Sequence, residues 1–219
     1  MPAVAAPPEQ RILLANATWE TYERLLAENV TCPGTRFAYD EGMLEIMVVY
    51  VGHEAPNRTL ASLVGVVAEV LRLDMVAAGS TTFKRQDLEK GFEPDSCFYF
   101  RNVDLVRGKE QLDMEVDPPP DLVIEVDITR SSLNRFRIFA AIGVAEVWRF
   151  DGEKVRMYVR EEGQYKEVAA SAALPVLTAA QAGIFLDEQR RQKWPDWIDD
   201  VRSWVRFPAL AFTPVVSHT

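Results

Sequence analysis

The most constraining feature of the chain is a stretch near its middle, Pro120-Asp121-Leu122-Val123-Ile124-Glu125-Val126-Asp127-Ile128-Thr129. A proline brake precedes it and a polar turn follows, so it reads as a short buried strand. Residues two apart on a strand share a face. Leu122, Ile124, Val126 and Ile128 therefore line one side, which suits an apolar layer against helices. Asp121, Val123, Glu125 and Asp127 line the other, and Glu125 and Asp127 present two acids from adjacent outward positions. Like charges that close repel unless they are solvated, hydrogen-bonded or bridged by a cation. The strand thus raises the question of whether a metal bridges its acids, and what the remaining chain brings to such a site.

The rest of the chain supplies a sheet and its covering helices. Residues 1 to 15 are Ala/Pro-rich and are expected to form an extended, flexible N-terminal segment. Thr18 has the character of an N-cap, Glu20 suits the first turn, and Trp19, Tyr22, Leu25 and Leu26 recur at helical spacing. Runs at Phe37–Tyr39 and Leu44–Val51 flank Asp40-Glu41-Gly42, a hairpin signal. Gly52-His53-Glu54-Ala55-Pro56-Asn57 opens a long core helix through Leu60, Leu63, Val64, Val67, Val70 and Leu71. Its proline is expected in the first turn, where a missing N–H has no partner to lose. Gly79-Ser80 breaks the run, Thr81–Arg85 can form a strand, and Phe92–Phe100 reads as another, with Asp95 at its entrance. Beyond the opening stretch, Ser131 or Ser132 can cap a helix that Gly143 ends. Ala145–Phe150, Lys154–Arg160 and Gln164–Ala169 are strand-like, and Thr178 with Gln181 has the form of a capping box. Trp194, Trp197, Ile198, Val201, Trp204 and Val205 form an apolar stripe at helical spacing, suited to a core or to a dimer contact. This order predicts an α/β or α+β fold with a central mixed sheet flanked by helices.

Composition limits the function. With 48% hydrophobic and 26% charged residues, the chain has ordinary globular character, and no run approaches the roughly 18 apolar residues needed to cross a bilayer. The N-terminus lacks the basic start and apolar core of a signal peptide, and Cys32 and Cys97 match no metal spacing. A cytoplasmic protein with reduced thiols is the expectation. The net charge of −9 argues against broad, strong nucleic-acid binding, while a local basic patch around an acidic site stays compatible with it.

Asp95 and Glu125 both stand on strand-like runs, and pairing those strands would bring the two acids together. With Asp127 they offer hard oxygen ligands suited to Mg²⁺ or Mn²⁺. Such a metal lowers the pKa of a bound water and neutralises charge on a phosphodiester. At this point the sequence resembles the Uma2-like endonuclease family, within the PD-(D/E)XK nuclease superfamily. The resemblance runs from Thr18-Trp19-Glu20 through the C-terminal helix. It is carried by Gly91-Phe92-Glu93-Pro94-Asp95, by Pro120 through Val126, by Leu133-Asn134-Arg135, and by Gly143-Val144-Ala145-Glu146-Val147-Trp148.

The resemblance implies a restriction-endonuclease-like core over residues 16 to 190, with residues 191 to 219 as a Trp-rich helix and tail. It implies Asp95 and Glu125 as ligands of Mg²⁺ or Mn²⁺, with Glu54 at the start of the long helix as a third metal ligand and Glu45 as an alternative. DNA is the implied substrate, cut by a metal-bound water. The lysine expected two residues after Glu125 is Asp127 here. The place of the lysine that many relatives carry in the following helix, four residues before an aromatic, is taken by Arg135 before Phe139. Arginine keeps the charge but is a poor proton carrier, and Lys84 on the preceding strand could substitute.

Each of these residues also has a plainer reading. Asp95 can be a strand-entry acid and Asp127 a turn-former. Glu54 can be a favourable first-turn acid, and Lys84 and Arg135 solvated side chains. His53 beside Glu54 could serve as a base or ligand, but one histidine near a loop is usually neither. Arg130, Arg135 and Arg137 either form a rim for phosphates or a solvated helix face. A catalytically degenerate nuclease fold, acting as a binding or assembly module, is the rival to an enzyme. Pairing of superfamily nucleases implies a homodimer, for which the tryptophan stripe offers a surface.

Overall fold

The computed structural model describes residues 10–30, 34–48, 50–128 and 133–207. In chain order the elements are β1 (Gln10–Leu14), α1 (Trp19–Glu28), β2 (Thr35–Asp40), β3 (Met43–Val48), α2 (Val51–Leu71), β4 (Val76–Ala77), β5 (Phe83–Arg85), β6 (Lys90–Phe92) and β7 (Ser96–Tyr99). There follow α3 (Val103–Val106), β8 (Leu122–Val126), α4 (Arg135–Ile142), β9 (Glu146–Phe150), β10 (Val155–Glu161), β11 (Gln164–Val168), α5 (Ala179–Gln189) and α6 (Trp194–Arg206).

The opening stretch becomes β8, inside a six-stranded mixed sheet of order β11-β10-β9-β8-β7-β4. It runs antiparallel to β7 and parallel to β9, and α4 makes the crossover that a parallel pair requires. Its alternation sorts as the sequence implies. Leu122, Ile124 and Val126 enter the core built with α2, α5 and α6, whereas Val123 enters a second core with α4. That second core also takes Ala38, Phe83 and Phe92 from a five-stranded antiparallel sheet of order β1-β3-β2-β6-β5. The expected mixed sheet flanked by helices is therefore present, with a second sheet beside it.

Local chemistry explains several helix ends. The Thr18 hydroxyl accepts from Thr21 N, and the Thr178 hydroxyl from Gln181 N, capping α1 and α5. Gly143 ends α4 at φ 102°, a conformation that strains any residue with a Cβ. At Gly91 the need is space, because a Cβ there would collide with the Tyr22 ring.

Some expectations are corrected. Pro56 stands sixth in α2 rather than in its first turn, because the helix starts at Val51 with Tyr50 as N-cap. The carbonyl that loses its helical donor belongs to exposed Gly52, where water can take over. The helix ends at Leu71, not at Gly79, with Arg72 in the left-handed region at φ 55°. Phe92–Phe100 is not one strand: Phe92 closes β6 in the first sheet, and β7 begins at Ser96 in the second. Glu93-Pro94-Asp95 is the crossing between sheets, where proline's missing N–H costs no ladder bond. Ser131 and Ser132 lie outside the described residues, and Asn134 holds the N-cap position of α4. The N-terminal stretch goes beyond an extended tail, as β1 pairs with β3 from Gln10↔Val48 to Leu14↔Leu44.

The centre of the tryptophan stripe is spent inside the molecule, while Trp194 at its start stays exposed. Trp197 and Val201 are fully buried in the core that α6 shares with α2 and α5, and the indole N–H of Trp197 donates to Phe185 O at 2.8 Å. Its central residues are therefore not the surface for a second copy that the sequence suggested. Among the described residues no helix is long and apolar enough to cross a membrane. Cys97 is a buried thiol whose pKa burial pushes up to about 12; Cys32 lies outside the described residues.

Candidate active site

The β7–β8 register pairs Ser96 with Ile124, so Asp95 falls opposite Glu125 across the two strands. Both side chains are buried, and three groups fix Asp95. Its Oδ2 accepts the Val126 backbone N–H at 2.7 Å. Asn57 Nδ2 donates to its backbone carbonyl at 3.2 Å, while Asn57 Oδ1 accepts from Ser96 Oγ at 2.8 Å. His53 Nε2 lies 3.4 Å from Asp95 Oδ2. His53 and Asn57 are four apart on α2, hence on one helix face, and that face clamps the acid.

Glu125 meets a different environment. One oxygen, Oε2, accepts from Arg135 Nη1 at 2.7 Å, and the other, Oε1, is buried without a hydrogen-bond partner. Arg135 rises from the first turn of α4 and also donates through Nε and Nη2 to Glu45 Oε1, at 3.2 and 3.0 Å. Arg11, arriving from β1, donates to Glu45 Oε1 at 3.2 Å and to Asp127 Oδ1 at 3.1 Å. Asp127 Oδ2 accepts from Arg149 Nη2. The cluster is thus a chain of alternating charge, running from Asp95 and Glu125 through Arg135, Glu45, Arg11 and Asp127 to Arg149.

Burial dominates the electrostatics. It raises the Asp95 carboxyl to about 7, against the lowering pull of the Val126 N–H and of Arg135. It likewise raises Glu125 to about 7, where Arg135 opposes the shift and Asp95 adds to it. Burial alone would lower the Arg135 pKa, but Glu125, Glu45 and Asp95 more than compensate and hold the guanidinium charged. An unpaired buried carboxylate oxygen costs several kcal/mol in order of magnitude, so the Asp95–Glu125 pair is a place that attracts either a proton or a cation.

The donor set can be tested against a metal. Among the described residues no group of three or more His, Cys, Asp or Glu side chains gathers to hold one ion. Mg²⁺, however, is commonly held by one or two carboxylates, with water and substrate phosphate filling the other positions. The unpartnered Glu125 Oε1 beside Asp95 fits that arrangement.

Not every expected residue reaches the site. Asp95, Glu125, Asp127 and Arg135 come together, and so does Glu45, the alternative acid. Glu54 stands near enough to Asp95 to raise its pKa, but its Oε1 accepts from Arg58 Nε at 2.5 Å on the helix surface. Lys84 does not join the carboxylates; its Nζ is bound by Glu23 at 2.8 and 2.9 Å. The rim of arginines does not form as expected: Arg135 is buried among acids, Arg137 is exposed and bonded to Glu41 at 3.2 Å, and Arg130 lies outside the described residues.

Sequence reasoning missed Arg11, Asn57 and Arg149. Only Asn57 left a local trace, as a polar residue one turn after His53 in an apolar helix. Two acids of the family-like motifs prove structural. The Asp121 Oδ2 accepts the N–H groups of Phe100 and Arg101 at 2.7 and 2.9 Å, tying down the end of β7. The buried Glu146 accepts from the Trp148 indole at 2.6 Å and from Ala173 N at 2.7 Å, pinning the segment before α5.

The family model of Uma2, described as "Putative restriction endonuclease", matches residues 19–189. Among solved structures the chain is similar to "a putative nuclease belonging to DUF820" from Anabaena variabilis ATCC 29413, at 16% identity and a TM-score of 0.48, over 82% of this chain and 98% of that one. No curated protein matches the sequence.

Proposed function

Because the chain belongs to the Uma2 family, we propose that it is a divalent-metal-dependent endonuclease hydrolysing phosphodiester bonds in DNA. The observation that carries this reading is the buried carboxylate pair, with Glu125 Oε1 left without a hydrogen-bond partner next to Asp95. Asp95 and Glu125 would hold Mg²⁺ or Mn²⁺, with Glu54 a candidate third ligand only if it leaves Arg58. When bound, the ion supplies an acidified water and charge neutralisation at phosphorus.

The protein's own groups prepare the ground. The Val126 N–H and the Asn57 side chain fix Asp95, and Arg135 fixes Glu125. Arg135 offers permanent positive charge for a phosphoryl oxygen, but it does not shuttle a proton at neutral pH. Proton removal from the attacking water would therefore not rest on Arg135, and with both carboxylates committed to the ion it would fall to bulk solvent. The test is plasmid nicking with Mg²⁺ or Mn²⁺. Wild-type protein should nick, and Asp95→Asn and Glu125→Gln should each abolish it. Equal cleavage by the variants, with contaminants excluded, would overturn the assignment.

A second reading has its own support. The Arg135 guanidinium already bridges Glu45 and Glu125, occupying the charge balance that a metal would otherwise supply. With a net charge of −9, this favours a degenerate nuclease fold serving as a binding or assembly module. A homodimer, as either form, would need a surface other than the buried face of α6. Metal titration separates the readings: a site that depends on Asp95 supports the enzyme, and no site supports the module.

A further inference from the structure

Asp127 stands where the resemblance calls for a lysine, and the proposed reaction gives it no role. We infer that Arg11 and Arg149 form a phosphate-binding subsite beside the Asp95–Glu125 pair, filled in the free protein by the Asp127 carboxylate, which a substrate phosphate displaces. The inference rests on the nuclease reading for the identity of the phosphate, though not for the existence of the subsite.

Register places the parts. In the parallel β8–β9 pair Glu125 is the partner of Arg149, so Arg149 projects from the same face one strand away, about 4.8 Å in the hydrogen-bonding direction. Arg11 reaches the same point from β1 in the other sheet. The two oxygens of Asp127 are held separately, Oδ1 by Arg11 and Oδ2 by Arg149. Each guanidinium gives one charge-assisted bond to a separate oxygen, and a phosphate offers oxygens enough to accept from both.

An adjoining cavity gives a ligand room. It measures ≈ 270 Å³ and is lined by Arg11, Glu125, Asp127, Asn134, Arg135 and Arg149 among others. That is more than a single phosphate group fills, so an attached sugar can follow it in. The cavity also meets the start of α4, whose first turn carries no acid and whose N-cap Asn134 makes no side-chain capping bond. The positive end of that helix adds to the arginines. Side-chain exposures of 13% for Arg11, 11% for Asp127 and 30% for Arg149 leave the group reachable without unfolding. Arg149 spends one nitrogen on Asp127, and a guanidinium carries five N–H donors. In the exchange the Asp127 carboxylate rotates off the two guanidinium groups, and the incoming phosphate restores its negative charge.

A merely structural ion pair and a masked anion site predict opposite outcomes when Asp127 is neutralised. The experiment is calorimetric titration, with metal chelated by EDTA, of inorganic phosphate and of 5′-phosphorylated dithymidine into wild type, Asp127→Asn and Arg149→Gln, each first shown to be folded by circular dichroism. Asp127→Asn should tighten binding of the dinucleotide about tenfold, the effect of removing one like charge next to the anion. Arg149→Gln should abolish it. Preference for the dinucleotide over inorganic phosphate identifies a nucleic-acid phosphate as the source, and equal binding identifies free phosphate. Unchanged or weaker binding in Asp127→Asn, or undiminished binding in Arg149→Gln, overturns the proposal. Because metal is absent, the subsite and the nuclease reading fail separately: the subsite stands if these shifts occur in a protein that binds no Mn²⁺ at Asp95 and Glu125.

Discussion

Replacing Asp95 by asparagine should make the metal-free protein more stable, and by more at high pH than at low. The folded protein holds the Asp95 proton up to about 7, against an ordinary value of 3.8. A group whose folded pKa is raised favours folding below its unfolded pKa, and that advantage is lost as pH climbs to the folded value. By pH 8 the whole ionisation penalty weighs on the native state. A shift of about three units at ~1.4 kcal/mol each bounds it near 4 kcal/mol. Glu125 titrates over the same range and relaxes when Asp95 is neutral, so a realised gain of ~2 kcal/mol is the working figure.

Asparagine keeps an oxygen to accept the Val126 N–H, so the geometry survives. At roughly 2–4 °C per kcal/mol for a chain of this size, the variant should melt about 4–8 °C higher at pH 8. At pH 4.5, close to the unfolded pKa, the gain should shrink to about 1 kcal/mol or less. Thermal unfolding followed by circular dichroism in EDTA at both pH values reads this directly. A variant that melts lower than wild type at pH 8, or that gains equally at both pH values, would refute the picture of two buried carboxyls in conflict.

Other consequences are equally open to measurement. Protons and metal compete for the same oxygens, so thermal stabilisation by Mn²⁺ should be larger at pH 8 than at pH 5.5; equal stabilisation would place the ion elsewhere. Removing the charge with Arg135→Met strands buried Glu125 and leaves Glu45 relying on Arg11, and should cost ~3–5 kcal/mol in urea unfolding. Arg135→Lys should lose less, and it should raise metal-dependent nicking if proton transfer limits the rate. Trp197→Ala empties the core between α2, α5 and α6, and should cost ~3–5 kcal/mol; a loss of dimerisation without loss of stability would instead make α6 an interface.

The sequence carried the fold wherever local periodicity and burial agree. The two-residue alternation of β8 sorts Ile124 and Val123 into separate cores, and the caps at Thr18, Thr178 and Gly143 each act over a single turn. What escaped was long-range. Nothing near Gln10–Leu14 announces that it pairs with β3, so Arg11 could not be placed beside Glu45 and Asp127. Arg149 reaches Asp127 only through the register of a parallel pair, which no local pattern encodes. Phe92–Phe100 misled because its apolar residues serve two sheets, and only the crossing at Pro94 separates them. The site was legible as Asp95, Glu125 and Arg135, and illegible as Arg11 and Arg149, which reach it through long-range pairing.

The central claim is that Asp95 and Glu125 together form a divalent-cation site. Titration calorimetry with Mn²⁺ at pH 8, on wild type, Asp95→Asn and Glu125→Gln, tests it most directly. The account predicts a saturable site in the wild type that both substitutions abolish. Absence of binding to the wild type, or binding that survives either substitution, would contradict it.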